Sequence, residues 1–290
     1  MRIDAARPMA AWVAVLATPD GPLLAPCGPL FDARTKALRG NWAAVVRAAA
    51  SLPGGRTVLL AAGVAGPRRF DLGTGSELPP VDDPAEVTDV AVAPLPDGRV
   101  VLAGAGPGGV HRWDAATGER LGRRPLVGPA LRAVTAALRP GGVTLIACDD
   151  TALYRWDAAT GDPLRPPQQT AAESLGGLAL APTGREMLVG GDWDGAVHRW
   201  DPHTGQELGD PIPVPSPARL AGCFAGRLDR PCALLLAADA RYDTAVAVDL
   251  ERGERIPIPA GARAVFALDG ETLAVLVHPG GQLTVEPLYG

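Results

Sequence analysis

VHRWDAATGER, beginning at Val110, returns as LYRWDAATGDP from Leu153 and again as VHRWDPHTGQE from Val197. Its tryptophans, Trp113, Trp156 and Trp200, stand 43 and 44 residues apart. Self-similarity at such a period marks a chain built by stacking one supersecondary unit. Weaker copies flank the three. RRFDLGTGSEL puts Phe70 another 43 residues upstream of Trp113, and VAVDLERGERI puts Val248 48 residues after Trp200. A second landmark holds the register: turn signals PGGR at Pro53, PDGR at Pro96, PGGV at Pro140 and PTGR at Pro182. Proline sets φ at the first corner of such a turn and glycine supplies positive φ. From Gly55, Gly98, Gly142 and Gly184 the next aromatic lies 15, 15, 14 and 16 residues on.

The same landmarks locate the ends. LDGETL places Gly270 15 residues before Val285, while TPDGPL places Gly21 only ten before Phe31, a shortened unit. Seven units ending at Phe31, Phe70, Trp113, Trp156, Trp200, Val248 and Val285 fill a single domain over residues 1–290. Their mean length of about 41 residues suits a four-stranded unit.

Each unit reads as strands. In the third, VTDVAVAP alternates small apolar residues, PDGR turns the chain, VVLAGA returns and VHRWD leaves. The D-x-x-T-G that follows is a hairpin connection. There Asp114, Asp157 and Asp201 accept backbone N–H groups, and Gly118, Gly161 and Gly205 take the left-handed corner. ERLGRRP and QELGDPI carry glycine and proline that only an edge strand tolerates, which places them outermost.

This arrangement resembles the WD-repeat β-propeller family over nearly the whole chain. The resemblance implies an all-β, seven-bladed β-propeller of four-stranded antiparallel sheets, with Trp113, Asp114, Trp156, Asp157, Trp200 and Asp201 as the structural repeat. The family's Gly-His dipeptide is missing. Its turn aspartate, six residues before the tryptophan, survives as Asp150 and Asp194 but is Pro107 in the third unit. The family's hydrogen-bonded tetrad is therefore incomplete. MRIDAARP at the N-terminus matches the outer-strand segment ERIPIP from Glu254, so the first strand is expected to complete the last blade and close the ring. Six blades with an N-terminal extension is the alternative.

Composition narrows the function. With 32 acidic and 27 basic residues the net charge is -5, which argues against a nucleic-acid binder, since phosphates need a basic stripe. No apolar run reaches the length of a membrane-spanning helix. Met9 to Ala17 has the outline of a secretory signal, but Asp4 in its basic region and the lack of an A-x-A site favour a buried strand. A cytoplasmic location is expected, with secretion left open. Cys27, Cys148, Cys223 and Cys232 lack metal-ligand or disulfide-framework spacing and read as small core residues.

No cofactor or metal is expected. Gly104, Gly106 and Gly109 match G-x-G-x-x-G, yet a strand follows where a phosphate site needs a helix. His111 and His198 occupy equivalent places in separate units and read as strand-face residues, not metal ligands. In the family, the loops between second and third strands form one rim of the ring. Here they carry Asp149 and Asp150, then Asp192, Trp193 and Asp194, then Arg241, Tyr242 and Asp243. Asp82, Asp83 and Glu86 extend the acidic character. Aromatics and arginine dominate interface energetics, and the carboxylates suggest a basic partner. The expected function is a non-catalytic scaffold that binds a protein or peptide, as part of a complex, with no nucleic acid or membrane. The alternatives are a hydrolase or lyase with its site in the central channel, or a structural subunit of a larger assembly. AVVRAAA, VTDVAVA, AVTAALR and LGGLALA, the inner-strand segments, are largely small and apolar. Asp89 and Arg132 break that character without recurring as a set.

Overall fold

The computed structural model describes residues 13–26, 29–35, 37–42, 44–122, 125–126, 130–181, 186–215, 218–225, 230–237, 245–278 and 282–289. Among them there is no helix; every regular element is a strand in an antiparallel sheet. Blade 1 is β1 (Val13–Leu16), β2 (Leu23–Pro26), β3 (Pro29–Asp32) and β4 (Leu38–Asn41). Blade 2 is β5 (Val46–Ser51), β6 (Thr57–Ala61) and β7 (Arg68–Asp71). Blade 3 is β8 (Asp89–Pro94), β9 (Val100–Gly106) and β10 (Gly109–Asp114). Blade 4 holds β11 (Ala133–Arg139), β12 (Gly142–Cys148), β13 (Ala152–Asp157) and the two-residue β14 (Gln168–Gln169). Blade 5 holds β15 (Leu175–Ala181), β16 (Met187–Asp192), β17 (Ala196–Trp200) and β18 (Ile212–Pro213). Blade 6 holds β19 (Ala218–Ala225), β20 (Pro231–Ala237), β21 (Ala245–Asp249) and β22 (Arg255–Ile256). Blade 7 is β23 (Ala262–Leu268), β24 (Glu271–Val277) and β25 (Leu283–Pro287). The chain is a seven-bladed β-propeller.

All seven residues that mark the units fall in the third strand of their blade. The outer strand is weaker than the sequence implies. Blades 2, 3 and 7 have three strands among the described residues. ERLGRRP and QELGDPI begin with a single bridge, Trp113 to Arg120 and Trp200 to Glu207, and pairing resumes only beyond the glycine, at Leu126 and at Ile212–Pro213. Glycine and proline there remove donors and ordering, so the ladder is interrupted. Residues 1–12, on which closure by the N-terminal strand rests, lie outside the described residues.

Each buried cluster spans two consecutive blades, and together they run round the ring. Ala103 and Val110 of blade 3 meet Leu145 and Trp156 of blade 4. At the seam, Val13, Leu24 and Phe31 of blade 1 meet Ala264, Phe266 and Val275 of blade 7. A buried side chain of this size contributes about 1.5–3 kcal/mol of transfer free energy. Trp113 and Trp200 are completely buried. Each stacks on the residue two before it, His111 and His198, with ring centroids 5.7 and 5.6 Å apart. The two histidines thus pack on their own sheets. Gly104 leaves the space that Trp113 fills, and a Cβ on Gly106 would sit 2.2 Å from the Glu86 carbonyl. Gly104 and Gly106 thus serve close packing beside the β9–β10 hairpin, and Gly109 supplies a φ of 103° at its turn.

The D-x-x-T-G turn accounts for each of its residues. The Asp114 carboxylate accepts the N–H groups of Ala116 and Thr117, both at 2.9 Å, and the Thr117 hydroxyl accepts that of Glu119. Asp157 and Asp201 repeat this, and Asp32, Asp71 and Asp249 do so in the weaker copies. The turn also receives a neighbour. Arg112, one residue before Trp113, donates to the carbonyls of Ala158, Ala159 and Thr160 in the turn of blade 4. Arg69 does the same to Ala115, Ala116 and Thr117 of blade 3. Arg155 reaches Pro202 of blade 5 and Arg199 reaches Leu250 of blade 6. Gly161 is needed twice over. Its φ is 82°, and a Cβ there would lie 2.3 Å from Nη2 of Arg112.

Candidate partner-binding face

The loops between second and third strands share one rim with the segments that lead into the next inner strand. Leu175 N–H donates to the Asp150 carbonyl, and Trp193 N–H to that of Ser174, both across that rim. The D-x-x-T-G turns and the turns joining first to second strands lie together at the other rim, where Ala115 N–H meets the Val100 carbonyl.

The rim carboxylates have different duties from those expected. The turn aspartates are Asp149 and Asp192, not Asp150 and Asp194. Asp149 accepts the N–H groups of Thr151 and Ala152 and, at 2.8 Å, the Tyr154 hydroxyl. Burial and that bond push the Tyr154 phenol up to about 12. Asp192 is buried, accepts the Asp194 N–H and lies 3.4 Å from Nε2 of His198. The hairpins turn one or two residues earlier than the family spacing suggests. Asp150 instead grips Arg132 with both oxygens, at 2.6 and 3.0 Å, on an exposed pair. That bond is the main cause raising the Arg132 pKa. Asp194 is exposed.

Trp193 is half-buried against its own blade. Its indole lies over Gly176, where a Cβ would be 2.1 Å from Nε1. Gly176 is the extra residue of a bulge in β15, and such bulges re-aim the chain at a rim. Arg241, Tyr242 and Asp243 lie outside the described residues. Asp82, Asp83 and Glu86 are exposed; the Asp82 carbonyl accepts Nε1 of Trp113, and the Asp83 carboxylate binds Arg120.

Around the axis is a cavity of about 180 Å³. Its charged wall comes from three consecutive blades: Arg47, Asp89 and Arg132. Gly176, Gly177, Ala221 and Gly222 of blades 5 and 6 form a wall of backbone and small side chains. Asp89 accepts the Val134 N–H at 3.0 Å, which ties blade 3 to blade 4. Arg47, the one charge inside the segment AVVRAAA, is the sequence signal for this wall, and the structure makes it the bulge residue of β5.

No protein-family model matches this chain, and no curated protein does. Among solved structures, one described as the crystal structure of the mitotic checkpoint complex contains a similar chain. It aligns with TM-score 0.69 and 13% identity, over 100% of this chain and 91% of that one. The likeness is one of fold.

Proposed function

We propose that this protein is a WD-repeat propeller that acts as a non-catalytic interaction module. It docks a protein or peptide segment on the rim formed by Asp150, Trp193 and Asp194. The observation that carries this reading is Trp193, a large stiff side chain held half-exposed beside the channel mouth by a bulge whose glycine makes room for it. Groups suited to catalysis are committed elsewhere. His111 contacts Arg120, His198 Asp192, His203 Glu186 and His278 Thr284. The Cys148 thiol is buried and pushed up to about 12 by desolvation. These commitments favour binding over a hydrolase or lyase in the channel. The mitotic-checkpoint neighbour belongs to a complex, which agrees with a module that works bound to other proteins.

Affinity purification from the native host tests the reading. Trp193→Ala should keep its thermal transition and lose the proteins that co-purify with the native chain. Unchanged co-purification would dismiss this rim.

A further inference from the structure

Four grooves between consecutive blades are each filled by an arginine from the third strand of the earlier blade. Every time the same backbone position accepts from it: the carbonyls of Ala115, Ala158, Pro202 and Leu250, for Arg69, Arg112, Arg155 and Arg199. The guanidinium also lies against the outer segment of its own blade. Nη2 of Arg69 donates to the Pro79 carbonyl, and a Cβ on Gly122 or Gly209 would sit 3.2 or 3.1 Å from Nη2 of Arg112 or Arg199. Pro79, Gly122 and Gly209 each follow the leucine whose N–H donates to the arginine's own carbonyl.

The groove between blades 6 and 7 repeats these walls with a small residue at the arginine's place. Ala247 stands there and pairs with Ile256, as Arg112 pairs with Leu121, so Pro257 matches Pro79, Gly122 and Gly209. In blade 7 the Leu288 N–H donates to the Thr272 carbonyl, as Ala115 does to Val100 and Ala158 to Val143. Leu288 is therefore the acceptor position, and among the described residues no donor reaches its carbonyl. A cavity of about 180 Å³ lies in this groove, with Pro257 and Tyr289 on its two sides and Cys232 and Ile256 on its blade 6 wall.

We propose that the groove between blades 6 and 7 is a socket for an arginine side chain of a partner protein. It is a second docking point, apart from the rim that carries Trp193. Four seated arginines in one molecule show what such a groove holds: a planar fork of donors against backbone carbonyls. The cavity is smaller than the several hundred Å³ usual for a whole small-molecule ligand, and fits one side chain. Glu254, Arg255 and Pro257 are exposed, so it opens to solvent on the flank of the ring, and the backbone carrying the arginine stays outside. Charge does not decide the occupant. The lining sets Asp249 and Glu254 against Arg230 and Arg255, and Asp249 is held by its own turn and by Arg230. Nearby cations do not unseat a latch. Burial and then the Arg56 charge lower the Arg69 pKa, burial and then the Arg165 charge that of Arg155, and both arginines keep their carbonyls.

Filling the socket from within is the first test. Ala247→Arg should raise the melting temperature of the full-length chain, because the new guanidinium reaches the Leu288 carbonyl; an unchanged or lowered one would overturn the proposal. The second test pans a random dodecapeptide library on the immobilised full-length Trp193→Ala chain, which keeps the rim out of the readout. Selected peptides should share an arginine, and its replacement by lysine should weaken binding about tenfold to a hundredfold, since an ammonium lacks the fork. Ala247→Arg should weaken the same peptides to a like extent. So should Cys232→Met, which narrows the cavity from β20 and is checked by thermal melting to be folded. Arginine peptides indifferent to both variants, selected peptides that share no arginine, or no selected peptide at all, would overturn the proposal. The rim reading is decided separately, by co-purification of the native chain against Trp193→Ala.

Discussion

Blades 2 to 6 and the arc through blades 7 and 1 are joined by different chemistry. In the first arc an arginine, buried at Arg69, Arg112 and Arg155 and half-buried at Arg199, crosses each interface to carbonyls in or beside the next blade's D-x-x-T-G-type turn. Burial lowers the pKa of all four. Round the second arc the residue before the marker position is Ala247, Thr284 or Leu30, and the blades find other contacts. Between blades 1 and 2, Nε1 of Trp42 donates to the Gly75 carbonyl at 3.1 Å. Between blades 7 and 1, an exposed Arg34–Asp269 pair lies over an apolar cluster. The contrast teaches that the strong copies of the repeat are strong because they grip their neighbours. The same R-W-D-x-x-T-G run both donates to one neighbour and accepts from the other.

Arg112→Met would break the comparison most sharply. It leaves three turn carbonyls without a donor, at an expected cost of about 3–4 kcal/mol. The shift in urea midpoint at unchanged slope measures it; a cost under about 1 kcal/mol would make the latch ornamental. Next is a paired test. Gly161→Ala meets both a φ of 82° and the Arg112 guanidinium, and should cost about 2–3 kcal/mol. Gly253→Ala meets a φ of 70° and nothing nearer than Ile212 at 3.8 Å, and should cost about 1 kcal/mol. Equal costs would show that the arginine adds nothing at this position.

Acid should weaken both arcs together. Asp32 in blade 1 and Asp71, Asp157 and Asp201 in the latched arc all have pKa values below the ordinary carboxylate range. For Asp32 and Asp71 the first cause is a turn N–H bond, from Thr35 and Thr74 respectively. For Asp157 and Asp201 burial pushes upward, and the turn N–H bonds with nearby positive charge outweigh it. A depressed folded pKa contributes stability above the unfolded value and loses it as pH falls through the folded one. The melting temperature should therefore hold steady from neutral pH downward and drop below about pH 4. The smallest effects belong to the second arc: about 1 kcal/mol for Trp42→Phe and within about 0.5 kcal/mol for Arg34→Ala.

The turn was legible because it is local. Asp114 caps N–H groups two and three residues on, and Gly118 supplies its own φ. The arginine latch was not, although Arg69, Arg112, Arg155 and Arg199 recur before Phe70 and the three tryptophans, because its acceptors lie 46 to 51 residues away in the next unit. Choosing Asp149 over Asp150 as the turn residue depends on where the hairpin reverses, and neighbouring aspartates do not differ in type. Arg47 looked like a stray charge in an apolar strand until the bulge in β5 put it on the cavity wall.

By itself the sequence determined the period, the turns and the seven sheets, since hairpin geometry is set by residues a few positions apart and repetition multiplies that signal. Only the tertiary structure decided which arginines bridge blades, which carboxylates are already occupied and which charges face the axis. Those outcomes depend on register between units far apart in the chain, where a shift of one residue turns a side chain to the other face.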